Sequence, residues 1–153
     1  QGRGMTEDER EAFLAHFAAG SAQTLLGLAV MGGIFGEGID LVGERLIGVV
    51  VVGAGVPQLG LERDLIKEYF DREGGNGFAF AYQYPGFNRV LQATGRVIRT
   101  ETDHGVIVLI DDRFTHARYR RLFPTHWRDF QVVRSTADGR EKLARVWAQG
   151  AGG

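Results

Sequence analysis

A chain of 153 residues that is 44% hydrophobic can build one globular domain with a real core, and is short for two. It has no cysteine, which excludes disulfides and thiolate-held zinc or iron–sulfur clusters within it; nothing asks for an oxidising compartment, so a cytoplasmic location is expected. The net charge of −1 hides an asymmetry: residues 113–153 hold nine Arg/Lys against three Asp/Glu, while the first 112 hold nine against sixteen.

Thr6 followed by Glu9 is a capping box that opens a helix over Glu7–Ala19, with Phe13, Leu14 and Phe17 on one side and Gly20 as its stop. Thr24–Met31 is a continuous apolar run of the kind found in a buried parallel strand, and Leu46–Val52 is another. Both fall well short of the roughly 20 residues that a membrane helix needs, and no signal-peptide pattern opens the chain. Between them lies a loop rich in glycine, GGIFGEGIDLVGE. After Pro57, the spacing of Leu61, Leu65, Ile66, Tyr69 and Phe70 predicts a helix over Leu61–Arg72, closed by GGNG. Phe78–Tyr82 is a short apolar run. Pro85 suits the first residue of a helix that continues to about Thr100, and Val106–Ile110 reads as a third buried strand. A helix over Thr115–Phe123 is broken by Pro124, and Gly139–Gln149 forms a last helix with Leu143, Val146 and Trp147 on one face. The alternation is α/β, and right-handed crossovers make the sheet largely parallel.

On a helix running to Thr100, Gln92, Arg96 and Arg99 project at roughly 0°, 40° and −20°, one narrow stripe, with Phe87, Val90, Leu91, Val97 and Ile98 opposite. Gly95 flanks the stripe, at a propensity cost of about 1 kcal/mol. Two like charges three residues apart also repel. An anion over the stripe would offset both costs, since arginine's planar fork suits phosphate; a solvated basic face is the plainer alternative. All basic residues but Lys67 and Lys142 are arginine, which fits phosphate contacts and equally a GC-rich genome.

The loop GGIFGEGID sets the carboxylates of Glu37 and Asp40 among Gly32, Gly33, Gly36 and Gly38, beyond the end of the first expected strand, where open α/β sheets place ligands. It could hold ribose, water or a nucleic-acid backbone, or simply be a surface loop. His16, His104, His116 and His126 lack metal-ligand spacing. Trp127 and Trp147 read as packing residues, and Phe87 as core; Tyr82 and Tyr84 could stack on bases. Arg63 and Arg89 are candidates for phosphate contacts, and Arg118, Arg120 and Arg121 form a basic cluster.

The order GGIFGEGID, GAGVP, YPGFNRVLQATGRVIRTETDHGVIVLIDDRF resembles the second motor domain of the XPD/DinG family of superfamily 2 helicases. Residues 33–40 match motif V and residues 92–99 match motif VI, Q-x-x-G-R-x-x-R; Asp103 to Gly105 and Asp112 to Phe114 extend the match, which covers roughly Arg10–Phe123. The resemblance implies a RecA-like three-layer domain over residues 1–124, incomplete at its N-terminus, followed by a basic extension over 125–153. It also implies ATP-driven 5′-to-3′ movement on single-stranded DNA. By position, Arg96 and Arg99 would be the arginine fingers. Gln92, Gly95, Glu37, Gly38 and Asp40 would serve the nucleotide, and Gly33, Arg63 and Arg89 the nucleic acid.

The chain has no G-x-x-x-x-G-K-[ST] loop and no D-E-A-H-type site, so Mg²⁺ and ATP would be bound together with a first RecA-like motor domain that is absent from it. The iron–sulfur cluster that many members carry would belong to that absent part. Gly36 stands where many members have a bulkier residue. The alternative reading is a non-catalytic helicase-like module that binds DNA or a protein partner.

Overall fold

The computed structural model describes residues 2, 4–21, 23–33, 35, 41, 45–97 and 105–150. They fall into two compact units, residues 1–116 and 117–153.

In the first unit α1 (Glu7–Ala15) starts as its capping box dictates: the Glu9 amide donates to Thr6 Oγ1 at 3.3 Å and the Thr6 amide to Glu9 Oε2 at 2.8 Å. It stops at Ala15, short of the expected Ala19, because Phe17 turns back to bond the Leu14 carbonyl. That turn lays the rings of Phe13 and Phe17 on Gly27, where a Cβ would lie 2.6 Å from Phe17 Cζ.

The run Thr24–Met31, expected as a strand, forms none, and Leu26, Leu28 and Val30 stand largely exposed. An apolar run records a demand for cover and does not by itself set the backbone conformation that meets it. Among the described residues the ladder is β1 (Gly48–Val52) with β2 (Val106–Ile110), parallel as expected, with Gly48 opposite Val106 and Val52 opposite Ile110. Val51 is buried at 4% exposure, while Val50 and Val52 on the other face remain at 54% and 72%.

The next helix, α2 (Leu61–Arg72), has the expected limits, supported by Lys67–Asp71 and Arg72–Glu68 pairs four residues apart. GGNG closes it: the Gly75 amide bonds the Phe70 carbonyl at 2.8 Å, and the Gly77 amide bonds Asp71 Oδ1 at 2.7 Å. The apolar run that follows is a π-helical turn over Ala79–Gln83, feeding directly into α3 (Tyr84–Thr94). Tyr82 is buried, and its hydroxyl donates to Asp64 at 2.8 Å. A base-stacking role for it is therefore ruled out by burial, whereas Tyr84 is partly exposed.

Pro85 sits in the first turn of α3, one residue after its start at Tyr84 rather than at it, and Phe87, Val90 and Thr94 are buried. The helix nevertheless ends at Thr94 instead of near Thr100. Thr94 is β-branched and its hydroxyl folds back on the carbonyls of Val90 and Leu91 at 2.9 and 3.1 Å; Gly95 follows and gives up the helix most cheaply.

The expected helix over Thr115–Phe123 spans the division between the units and is reduced to α4 (Ala117–Arg120) in the second. A 3₁₀ turn over Asp112–Thr115, capped by Asp111, occupies the start of that segment, and His116 is extended behind it. Past Pro124, Phe123 packs edge-on against Trp127 and Phe130, so Trp127 is a packing residue as read from the sequence. The last helix, α5 (Thr136–Gly150), begins three residues earlier than expected, with Asp138 taking the Arg134 amide at 3.1 Å. Its Leu143, Val146 and Trp147 are partly exposed. Among the described residues no helix is long and apolar enough to cross a membrane.

Candidate functional site

Helix α3 runs from one edge of the sheet to the other. At its start, Gly86 packs on Gly55 in the loop just past β1; at its end, Val97 is buried against Gly105, the residue before β2. The start of α3 therefore serves the carboxyl edge of the strands, and its end serves the amino edge.

At the amino edge, Gln92 occupies the last turn of α3 and is exposed, Gly95 is exposed, and Arg96 is half buried. The Gly95 amide closes on the Leu91 carbonyl at 2.9 Å and the Val97 amide on the Thr94 carbonyl at 3.1 Å, so Arg96 projects from a turn. This corrects the helical stripe: projection at 100° per residue holds for Gln92 but not for Arg96, which lies beyond the helix. The structure still brings Gln92, Gly95 and Arg96 together within one turn. They offer an amide, bare backbone and a guanidinium, groups whose chemistry suits phosphate oxygens. Arg99, Glu37, Gly38 and Asp40 lie outside the described residues, as does Gly36.

At the carboxyl edge, Gly53 bonds the Ile110 carbonyl at 3.0 Å, so the loops after β1 and β2 leave the sheet side by side. Asp111, at the end of β2, accepts the Arg113 amide, Nε and Nη2 at 2.9, 2.9 and 2.7 Å. The Arg113 guanidinium, with the Arg113 and Ala54 amides, holds the Asp111 carboxyl below the usual carboxylate range. Sequence reading had taken DDRF only as an extension of a motif. The acid followed two residues later by arginine was the available signal for this clamp. Because its folded value is depressed, Asp111 stabilises the fold above the ordinary carboxylate range and loses that contribution as pH falls through the range toward the folded value. Asp111→Asn is expected to lower the thermal midpoint at pH 7 and to flatten its decline between pH 5 and 3, read by circular dichroism; an unchanged acid limb would deny the clamp.

Two of the three residues expected to meet nucleic acid also converge here. Gly33 follows Gly32 in a turn closed by its amide on the Val30 carbonyl at 2.9 Å, and Arg89 of α3 lies against Gly32. Arg63 stands apart, half buried in the first turn of α2. Among the described residues no group of three or more His, Asp or Glu is arranged to hold a metal ion.

Residues 2–130 match the family described as Helicase C-terminal domain. The chain belongs to that family. It is 34% identical over 132 residues to a regulator of telomere elongation helicase 1 from Bos taurus, covering 80% of the chain and 11% of the relative. It is 36% identical over 89 residues to an ATP-dependent DNA helicase DinG from Photobacterium profundum, covering 57% of the chain and 13% of the relative. A probable ATP-dependent helicase from Methanocaldococcus jannaschii is 35% identical over 97 residues, covering 58% and 15%. The chain thus spans only 11 to 15% of the length of these relatives. The resemblance to the second motor domain of XPD/DinG helicases is borne out, and with it the RecA-like α/β fold with a parallel sheet. By the resemblance, Gln92–Arg96 would begin motif VI, residues 92–99, and Gly33 would begin motif V, residues 33–40.

Proposed function

We propose that this chain is the C-terminal motor half of an ATP-dependent 5′-to-3′ DNA helicase that works in the cytoplasm on single-stranded DNA. Residues 1–124 form the motor domain and 125–153 a basic extension. The observation that carries this reading is the donor set of Gln92, Gly95 and Arg96, gathered at one edge of the sheet in a chain of helicase family.

Arg96 and Arg99 are the arginine fingers, directed at phosphates held by a first RecA-like motor domain; Gln92 orients them. Bound Mg²⁺-ATP supplies the phosphoryl group and the metal that offsets its charge. This chain's residues place fixed cations and amide donors where negative charge grows in the transition state. Glu37, Gly38 and Asp40 relay the nucleotide state toward the DNA strand, and Gly33 and Arg63 face its phosphates. An iron–sulfur cluster, where the longer polypeptide has one, is held outside this chain.

The test uses the intact polypeptide. ATP hydrolysis is measured with and without single-stranded DNA, and unwinding is measured on duplexes with a 5′ or a 3′ tail. Hydrolysis that rises with DNA, and unwinding of the 5′-tailed substrate alone, is the expected result. Unwinding from the 3′ tail alone would reverse the polarity. Absence of turnover with DNA bound would make the chain a non-catalytic module.

A further inference from the structure

Arg89 is placed to tie segments of the fold together rather than to meet a phosphate. It lies midway along α3, and helical side chains tilt toward the N-terminus, so it reaches back to the carboxyl edge of the sheet. Its Nη1 donates to the Gly55 carbonyl at 3.5 Å. Its Nε lies 3.3 Å, and its Cδ 3.4 Å, from where a Cβ of Gly32 would stand. Gly32 has φ of +77° and Gly55 of +65°, so at both positions the backbone adopts a conformation that favours glycine. Met31 completes the cluster, its Cε 3.4 Å from a Cβ built on Gly55. One half-buried guanidinium thus joins three segments: the turn at Gly32–Gly33, the loop after β1, and the helix whose far end leads to Arg96.

We propose that Arg89 is a positioning residue that clasps the Gly32–Gly33 turn and the Gly55 loop to α3, so that movement of the nucleic-acid edge is passed along the helix to Gln92 and Arg96. The path runs five residues along α3 from Arg89 to Thr94, about 7.5 Å at 1.5 Å per residue, and then through the turn that carries Arg96. Helix α3 is rigid over that span, with Phe87, Val90 and Thr94 buried along it. Arginine is suited to this task because its flat fork can lie across a glycine while donating to a carbonyl, whereas lysine offers only a point donor. The inference rests on the helicase reading above, and deepens it by assigning the link between the two edges.

The experiment compares wild type, Arg89→Ala and Arg89→Lys in the intact polypeptide. For Arg89→Ala, DNA-stimulated kcat is expected to fall roughly 10- to 100-fold, the range a small misplacement of catalytic groups costs. The KM for ATP and the salt dependence of single-strand binding stay unchanged, and Arg89→Lys recovers part of kcat through its bond to Gly55. A salt slope shallower by about 0.7, the signature of one lost phosphate contact on a single strand, with kcat preserved, would make Arg89 a backbone contact and overturn the clasp. Unchanged kcat and unchanged slope would overturn it too. If the wild type shows no DNA-stimulated turnover, the helicase reading fails, and amide exchange at Gly33 decides the clasp separately. Faster exchange at Gly33 in Arg89→Ala supports the clasp, and unchanged exchange removes it.

Discussion

Arg96→Ala in the intact polypeptide is expected to lower DNA-stimulated ATP turnover by about 10³-fold or more, the scale of losing an arginine finger. That corresponds to about 4 kcal/mol of transition-state stabilisation. The argument starts from the end of α3. Thr94 and Gly95 stop the helix, so Arg96 leaves from a turn whose backbone is fixed by bonds at 2.9 and 3.1 Å. Val97, next in line, is buried at 3% exposure and anchors that turn to the start of β2. The guanidinium is thereby supported by a packed neighbour, as a group that must meet a developing charge without reorganising should be. Arg96→Lys keeps the charge but not the planar fork, and should recover only a fraction of the rate. Both variants should retain the circular dichroism of the wild type. A folded Arg96→Ala protein with turnover within a few fold of wild type would show that the turn is only a solvated basic surface. Arg99→Ala tests the second finger in the same assay.

How much of this was legible beforehand depends on whether a signal was local. The capping box at Thr6 and Glu9 and the limits of α2 are each settled within a few residues and stand as read, and Pro85 falls one residue from its expected place. The end of α3 was not legible. Val90, Leu91 and Val97 keep helical spacing straight across Gly95, because a turn that carries Val97 back into the core satisfies the same burial as another helical turn would. The segment Thr24–Met31 misled for a related reason: hydropathy registers what a chain should cover, not the backbone conformation that covers it. The five residues Phe78–Tyr82 are too few for periodicity to distinguish strand from helix, and a π-helical turn fits them as well. At the site, Q-x-x-G-R marked the amino edge from sequence alone. The carboxyl edge was only half visible, because the reach of Arg89 to Gly55 and Gly32, and of Asp111 to the loop after β1, are contacts between distant parts of the chain.

Gly86→Ala is expected to destabilise this motor domain by about 3 kcal/mol, the upper end of what overpacking costs. A Cβ at Gly86 would stand 2.8 Å from the Ala54 carbonyl oxygen, 2.9 Å from the Val56 nitrogen and 3.0 Å from the Gly55 carbonyl carbon. All three are backbone atoms, so no rotamer change relieves the clash; α3 or the loop after β1 must move. The loop is itself tied to β2 by the bond from Gly53 to the Ile110 carbonyl, which leaves α3 as the element that gives way. The midpoint of the corresponding transition should fall by roughly 6–12 °C, at 2–4 °C per kcal/mol for a chain of this size. Gly55→Ala places its Cβ 2.5 Å from the Gly86 carbonyl oxygen and adds strain from its positive φ, so it should cost at least as much. The two glycines touch one another, so the double variant should cost less than the sum, since backbones separated for one methyl already admit part of the other. A fall below about 2 °C for Gly86→Ala would mean that the crossing tolerates separation. A large fall with subadditivity would identify this glycine pair as the fulcrum that fixes α3 to the sheet, and on which the distance from Arg89 to Gly32 at one end and the placement of Arg96 at the other both depend.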